Sequence, residues 1–243
     1  MPFLREISLR PDVPPEDAYW KHIPALRNIH LPFPSAVTFI VGENGSGKST
    51  LLEAMATSIG FHPSGGSRNN VYDFQPTESD FSRAIRLVWS TKINKGFFLR
   101  AESYFNFASH IDELQKEDTR SLEPYGGISL HQQSHGESFL ALFKNRLLKG
   151  IFLFDEPEAA LSPKRQLAFL SLLHEREQSG QCQFIIATHS PILLSYPGAT
   201  IYHFSEKGLR QVAYKDTDHY QITKDFLDAP EVFYKHLFES PTH

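Results

Sequence analysis

The sequence predicts an α/β fold in which a largely parallel β-sheet is covered by helices on both faces. Short apolar runs rich in β-branched and aromatic residues recur along the chain, and amphipathic helical patterns separate them. Apolar runs of this kind are typical of parallel strands, because both faces of a parallel sheet are covered. With 243 residues, the chain has the length of one large domain, and we expect residues 1–243 to form a single unit.

The amino-terminal half has the pattern of four strands and one helix. The first run alternates apolar and polar residues, whereas the second is β-branched and aromatic and ends at a glycine. The predicted helix places its apolar residues on one face, and a turn at residues 94–96 joins the last two strands. The predicted strands are Phe3–Leu9, Val37–Val41, Ala84–Ser90 and Gly96–Ala101, and the predicted helix is Ser49–Ser58.

The carboxy-terminal half alternates helices with two buried strands and then ends in a hairpin and a helical tail. A late hairpin, together with the amino-terminal strand, predicts an added antiparallel portion. The predicted helices are Ile111–Lys116, Glu137–Leu148, Lys164–Gln178 and, divided by Pro230, His219–Phe238. The predicted strands are Ile151–Phe154, Phe184–Ala187, Thr200–Phe204 and Leu209–Tyr214.

The composition limits which partners and which cellular compartment we expect for this protein. The formal net charge of −4 gives no global reason to bind nucleic acid, although it permits a local basic stripe. A single cysteine, Cys182, excludes an intrachain disulfide and favours a reducing, cytoplasmic setting. Neither a signal-peptide pattern nor an uncharged run of roughly 18–20 residues is found, so we expect a soluble protein without direct membrane insertion.

A glycine-rich segment lies between the predicted strand Val37–Val41 and the predicted helix Ser49–Ser58. It fits GxxxxGK[ST] without a mismatch, and in this context the pattern is typical of a phosphate-binding loop. Glycines let the backbone N–H groups turn inward, and the helix N-terminus adds a positive dipole end. We expect Lys48 to contact the β- and γ-phosphates and the Ser49 hydroxyl to bind Mg²⁺. The predicted ATP-binding residues are Gly42, Asn44, Gly45, Ser46, Gly47, Lys48, Ser49 and Thr50.

Two later strands end in polar residues that suit the same site. Ile151–Phe154 leads into adjacent carboxylates, of which Asp155 is expected to bind Mg²⁺ and Glu156 to orient and deprotonate the attacking water. His189 follows the strand Phe184–Ala187, where it can donate a hydrogen bond to the γ-phosphate or to its water. The predicted catalytic residues are Glu156, His189 and Lys48.

This ordered set of motifs resembles the ABC-type ATPases, especially the soluble branch that includes SMC, RecF-like and OLD-like proteins. Between Gly42 and His189 the chain has a Walker A loop, a signature-like segment, a Walker B strand of the DEPE type, a D-loop and a switch histidine. The D-loop is residues 158–162, with Ser162 in place of the aspartate usual in transporters. The segment 133–137 is similar to the LSGGQ signature, matching at Ser134, Gly136 and Glu137 and departing at Gln133 and His135.

The resemblance implies a P-loop NTPase fold like an ABC ATPase head, which hydrolyses ATP to ADP and phosphate with Mg²⁺. It also implies a head-to-tail homodimer that forms on ATP binding, in which Ser134, Gly136 and Glu137 contact, in trans, the nucleotide of the other subunit. The family's Q-loop glutamine has no clear counterpart. Gln75 comes early, whereas Glu102 follows a predicted strand but is not a glutamine; we prefer Glu102 as an additional Mg²⁺ ligand.

Two interpretations of the coupled process are open. The first is a stand-alone ATPase acting on an unknown protein partner or in a process linked to nucleic acid, such as DNA repair or defence. The second is the nucleotide-binding subunit of an ABC transporter, against which stand the divergent signature and Ser162. A P-loop kinase is disfavoured because Asp155, Glu156 and His189 suit water activation, and their presence also disfavours an inactive binding module.

Overall fold

A computed structural model describes residues 2–11, 18–62, 80–100, 140, 143–145 and 148–238. The α-helices whose bounds are described are α1 (Lys48–Ile59), α2 (Asp80–Ala84), α3 (Pro163–Gln178), α4 (Pro191–Leu194), α5 (Asp218–Asp228) and α6 (Pro230–Phe238). The described strands are β1 (Leu4–Leu9), β2 (His30–Pro32), β3 (Val37–Gly42), β4 (Ile85–Trp89), β5 (Gly96–Arg100), β6 (Gly150–Asp155), β7 (Cys182–Ala187), β8 (Thr200–Ser205) and β9 (Gly208–Val212).

The larger sheet has six strands in the order β5-β6-β7-β3-β8-β9. The first five are parallel to one another, and β9 is antiparallel to β8, so the late hairpin is confirmed. In a parallel sheet the carboxyl ends of neighbouring strands share one edge. The segments that follow β3, β6 and β7 therefore begin side by side, and these segments carry the predicted phosphate-binding and catalytic residues.

Apolar residues on the central strands alternate between two cores, one on each face of the six-stranded sheet. On β6, Phe152 and Phe154 face one core, whereas Ile151 and Leu153 face the other. The first core also includes Phe169 of α3, and the second includes the apolar side of α1. Because both faces are covered, all six residues of β3, of β6 and of β7 are buried, as expected for parallel strands.

The smaller sheet is antiparallel and has the order β2-β1-β4. One link to the larger sheet is the buried side chain of Gln183 on β7, which accepts a hydrogen bond from the Leu4 backbone N–H at 2.8 Å and donates one to the Leu4 carbonyl at 2.9 Å. The two strands predicted on either side of residues 94–96 belong to different sheets: β4 pairs with β1, and β5 pairs with β6. Their connection is thus a crossover between sheets rather than a hairpin.

The predicted α/β architecture is confirmed, including the antiparallel portion and the two-helix tail at Pro230. Strand β2 was not predicted from sequence, since three residues are too few to show a period. The predicted helix Ile111–Lys116 and most of Glu137–Leu148 lie outside the described residues. In the part of the chain that the structure describes, no helix has the length and apolar character needed to cross a membrane.

Candidate functional site

The loop between β3 and α1 keeps its shape through glycine. Gly42 has φ 150°, and a Cβ atom there would lie 2.3 Å from the Phe204 carbonyl oxygen on β8. Gly47 caps α1 in a left-handed conformation, and a Cβ atom there would lie 2.8 Å from Ile23 Cγ2. Both positions are closed to any side chain by nearby atoms, and their backbone conformation is strained for L-residues. The motif glycines therefore fix the loop against its surroundings.

Lys48 occupies the first helical position and is only 4% exposed. Its Nζ donates hydrogen bonds to the carbonyls of Gly42 at 2.7 Å and Glu43 at 3.1 Å. Burial lowers the pKa of Lys48, although nearby carboxylates, chiefly Glu156 and then Asp155, oppose that shift. Backbone oxygens thus hold the Lys48 ammonium inside the loop, close to carboxylates that favour its positive charge.

A cavity of about 270 Å³ opens beside this loop. The start of α1 forms one wall, so the positive end of its dipole faces the space. Glu156 closes the cavity from the side of β6. The lining residues are Asn44, Gly45, Gly47, Lys48, Ser49, Thr50 and Glu156.

Ser49 and Asp155 form an oxygen-rich pair behind the cavity. The Ser49 hydroxyl donates to Asp155 Oδ1 at 3.2 Å, and Asp155 is 5% exposed. Burial raises the pKa of Asp155 to about 6, and the hydrogen bond from Ser49 and the charge of Arg100 partly offset this effect. A hydroxyl and a buried carboxylate in contact are ligands that suit Mg²⁺, so these two residues fit the metal expected with ATP.

Arg100 is a neighbour of this pair that the motifs did not indicate. It ends β5 directly opposite Asp155 in the parallel register. Its guanidinium pairs with Glu53 of α1 at 2.5 Å and lies 3.4 Å from Asp155 Oδ2. Glu53 lies one helical turn after Ser49 on α1. The Arg100 guanidinium therefore bridges the carboxylates of Glu53 and Asp155 beside the expected metal position.

Glu156 has an unusual backbone conformation. Its φ of 52° is the single positive value among the non-glycine residues that the structure describes. Its N–H donates to the Ala187 carbonyl at 2.9 Å, which ties the end of β6 to the end of β7. A glutamate in the left-handed region costs roughly 1–2 kcal/mol, and such strain is found preferentially at functional positions. The turn brings the carboxylate to the cavity while Asp155 stays buried.

His189 is held from three directions. Its backbone N–H donates to Glu158 Oε1 at 2.6 Å, and its Nε2 lies 3.4 Å from Glu156 Oε1. Its other ring nitrogen, Nδ1, lies 2.8 Å from Nε2 of His219 at the start of α5. Burial raises the pKa of Glu158, partly countered by the hydrogen bond from His189. The switch histidine therefore sits beside the proposed base, with its backbone and its far nitrogen both engaged.

Two family models match this chain. The family model described as an AAA domain matches residues 20–146, just over half of the chain. This chain belongs to the AAA-domain family. A second AAA-domain model, whose description refers to an AbiEii toxin of a type IV TA system, matches residues 125–195. Together the two models cover residues 20–195, which include the β3–α1 loop, Asp155, Glu156 and His189.

Relatives of this AAA-domain protein include a zinc import ATP-binding protein, ZnuC of Mannheimia succiniciproducens. It is 27% identical over 168 residues, and the match covers 68% of this chain but 61% of that relative. Among solved structures, CbiO1 from Clostridium perfringens, part of the ABC transporter complex cbiONQ, is 20% identical with a TM-score of 0.54, covering 98% of this chain and 100% of that chain. An SMC head bound to the C-winged helix domain of ScpA is 14% identical with a TM-score of 0.50, covering 87% of this chain and 98% of that chain. The likeness to these two structures establishes the fold.

The structure of this AAA-domain protein brings the predicted Walker A, Walker B and switch residues to one edge of the sheet. Their assigned roles stay predictions. Ser134, Gly136, Glu137 and Glu102 lie outside the described residues, as does Gln75. Sequence reasoning missed Arg100 and His219, which contact the predicted residues Asp155 and His189, and Glu53, which pairs with Arg100. Arg100 lies near the end of the predicted strand Gly96–Ala101, but no sequence signal placed that strand next to the Walker B strand.

Proposed function

We propose that this protein binds Mg-ATP in the cavity beside the β3–α1 loop and hydrolyses it in a head-to-tail dimer that encloses two ATP molecules. The observation that carries the proposal is the convergence of three strand ends. The loop after β3 and Glu156 after β6 line one cavity, with Asp155 in contact with Ser49 behind it and His189, which follows β7, beside Glu156. That arrangement has a place for the phosphates, for a metal and for a water.

Phosphate binding is assigned to the loop. Backbone N–H groups at the start of α1 and the Lys48 ammonium attract the negative charge. In the structure Lys48 donates to the carbonyls of Gly42 and Glu43, and we expect it to turn part of this donation to the β- and γ-phosphates of the nucleotide. The remaining predicted contacts are Asn44, Gly45, Ser46, Gly47, Ser49 and Thr50.

Mg²⁺ fits at Ser49 and Asp155, whose oxygens already lie 3.2 Å apart. When bound, the ion would neutralise phosphate charge and help to orient the γ-phosphate. Arg100 and Glu53 support this position, because Arg100 lies against Asp155 and is itself held by Glu53. Glu102 is proposed as a further ligand on the sequence pattern alone.

Water activation is assigned to Glu156. Its carboxylate lines the cavity, and 40% of its side chain is exposed, so a water molecule can reach it. His189, 3.4 Å from this carboxylate, is expected to donate from Nε2 to the γ-phosphate or to the attacking water. Glu156 would accept the proton of the water as the bond to the γ-phosphorus forms.

Closure of the site needs a second subunit, which we assign on the basis of the signature-like segment. The cavity is open to solvent beside Gly45, a residue that is itself exposed. Ser134, Gly136 and Glu137 of another copy are proposed to cover the γ-phosphate there. ATP would then favour the dimer, and hydrolysis would release it.

The process driven by this cycle is proposed to involve a protein partner or a nucleic-acid-linked activity, of the repair or defence kind. A second candidate is the ATP-binding subunit of an ABC transporter. It is supported by the relative named as a zinc import ATP-binding protein, of which the chain covers 61%. The two candidates differ in whether the chain closes on a second copy without help from another protein.

The experiment that tests hydrolysis compares wild type with Glu156→Gln in steady-state ATPase and ATP-binding assays. The amide keeps the shape of the carboxylate but cannot accept the proton, so we expect kcat to fall by about 10²–10⁴-fold with ATP binding retained. Glu175→Gln, the same chemical change on an exposed part of α3, serves as the control and should retain the wild-type rate. Equal rates for Glu156→Gln and wild type would exclude Glu156 as the base.

A further inference from the structure

Among the described contacts of the switch histidine, His189, one comes from the helical tail, and it is made by His219. It lies in the first turn of α5, whose N-cap is Thr217. The Thr217 hydroxyl accepts from the Tyr220 N–H at 3.3 Å and donates to the Tyr214 carbonyl at 2.7 Å. The rings of Tyr214 and Tyr220 also pack with centroids 4.7 Å apart. The helix start that carries His219 is therefore well anchored.

The contact between the two rings constrains where their protons lie. The distance of 2.8 Å between His189 Nδ1 and His219 Nε2 is that of a hydrogen bond, so one nitrogen donates and the other accepts. If neutral His189 donated from Nδ1, its Nε2 would be a lone pair facing the Glu156 carboxylate at 3.4 Å. Two acceptors would then face each other, and His189 would have no proton to offer to a phosphate.

The opposite arrangement avoids two facing acceptors. When His219 donates from Nε2, Nδ1 of His189 accepts, and neutral His189 must carry its proton on Nε2. That N–H points towards Glu156 and the cavity, where an anionic phosphate or its water is expected. A hydrogen-bond partner that fixes the tautomer of a functional histidine is a known device of active sites.

We propose that His219 is a positioning residue that holds His189 in the Nε2–H tautomer, so that the switch histidine can donate a hydrogen bond at the γ-phosphate position. This inference rests on the proposed function, since it assumes that His189 serves ATP hydrolysis. Through this contact the state of the nucleotide site is linked to the first turn of α5.

The surroundings of His219 agree with a neutral donor. Burial lowers its pKa, and the charge of Lys48 acts in the same direction. Glu43 and Asp218 oppose the shift without reversing it. At neutral pH, His219 is thus expected to keep a single ring proton, which the geometry assigns to Nε2.

Two substitutions test the proposal. In His219→Gln the side-chain amide can still donate to His189 Nδ1, whereas in His219→Leu no donor is left. We expect His219→Leu to lower kcat for ATP about 10–100-fold with little change in KM, and His219→Gln to restore most of that loss. His236→Leu, the same change on the exposed face of α6, should leave the rate unchanged.

The second readout is direct and needs no turnover. Nitrogen NMR of ¹⁵N-histidine-labelled protein reports which ring nitrogen carries the proton, and signals missing from His189→Gln identify His189. We expect Nε2 of His189 to be protonated and Nδ1 unprotonated in wild type and in His219→Gln, with this pattern lost in His219→Leu. A protonated Nδ1 in wild type, or equal kcat for the Gln and Leu variants, would overturn the proposal.

The NMR result also separates this inference from the proposed function. If wild type does not hydrolyse ATP but shows the Nε2–H tautomer, which His219→Leu abolishes, the proposed function fails and the positioning contact stands. If wild type hydrolyses ATP and the tautomer does not depend on residue 219, the positioning contact fails alone.

Discussion

The two sides of the candidate site are held in place differently, one mainly by backbone atoms and the other by side chains. On the loop side, between β3 and α1, backbone atoms do most of the positioning: Gly42 and Gly47 lie where a Cβ atom would collide, and Lys48 is held by carbonyls. On the acidic side, after β6 and β7, side chains hold one another. Arg100 pairs with Asp155, and His219 bonds to His189.

This difference determines how each side responds to mutation. A backbone-built loop depends on glycine at two positions and on one cation, so a single methyl group or a lost charge disrupts it. A network of side chains spreads its positioning over several residues, so loss of one partner shifts a pKa or a tautomer before it removes the site.

Lys48→Ala is expected to give the largest effect, on the loop side. It removes the cation expected at the β- and γ-phosphates, and charged hydrogen bonds of this kind contribute about 1.5–3 kcal/mol each. We expect ATP affinity to fall on the order of 100-fold or more, as measured by calorimetry or a fluorescent nucleotide. Lys207→Ala, at an exposed turn, is the control. Unchanged affinity in Lys48→Ala would mean that the loop does not bind phosphate through this residue.

Substitutions of two loop glycines sharpen the comparison. Gly42→Ala places a Cβ atom 2.3 Å from the Phe204 carbonyl and should lower the free energy of unfolding by about 1–3 kcal/mol. Gly45→Ala meets no described atom within 4 Å of the new Cβ, although its φ of 81° is strained. We expect it to be the more stable of the two in urea denaturation, with its main loss in ATP binding. The reverse order of stability would contradict this account of the loop.

Arg100→Gln tests the acidic side, where the expected effect is smallest. The pKa of Asp155 is about 6, and the Arg100 charge holds it below the value that burial would otherwise impose. Without this cation the pKa should rise further, as followed by carboxyl NMR in protein without Mg²⁺. Mg²⁺ binds the ionised carboxylate of Asp155, so Mg²⁺-dependent ATP binding should strengthen as the pH rises through about 6. In Arg100→Gln this increase should occur at a higher pH. As a control, Arg210→Gln at an exposed position of β9 should leave the pKa of Asp155 at its wild-type value. If Arg100→Gln also left this pKa unchanged, the Arg100 charge would not act on Asp155.

The same contrast explains how much the sequence could predict. The phosphate-binding loop is one contiguous motif, so its residues and their neighbouring strand and helix follow from a local pattern. Asp155, Glu156 and His189 are recognisable because each follows a buried strand. Their side-chain partners are not, because Arg100 and His219 come from distant chain positions that only the strand order and the packing of α5 bring together.

Sheet assignment shows the same limit. The apolar runs of β4 and β5 were correctly predicted as strands, but no local pattern indicates that they enter different sheets. That separation depends on long-range pairing, of β4 with β1 and of β5 with β6. Local patterns thus predicted the elements well and their partners poorly.

The central claim, an ATP-dependent dimer closed by two half-sites, is tested most directly by the solution mass of Glu156→Gln. Light scattering after gel filtration, with and without Mg-ATP, would be repeated in the double variant Ser134→Arg/Glu156→Gln, which keeps the loop but blocks the signature-like segment. We predict a monomer without nucleotide, a dimer with Mg-ATP, and a double variant that binds ATP yet stays monomeric. A Glu156→Gln protein that binds ATP but remains a monomer would contradict the homodimer and favour a subunit that closes only with another protein.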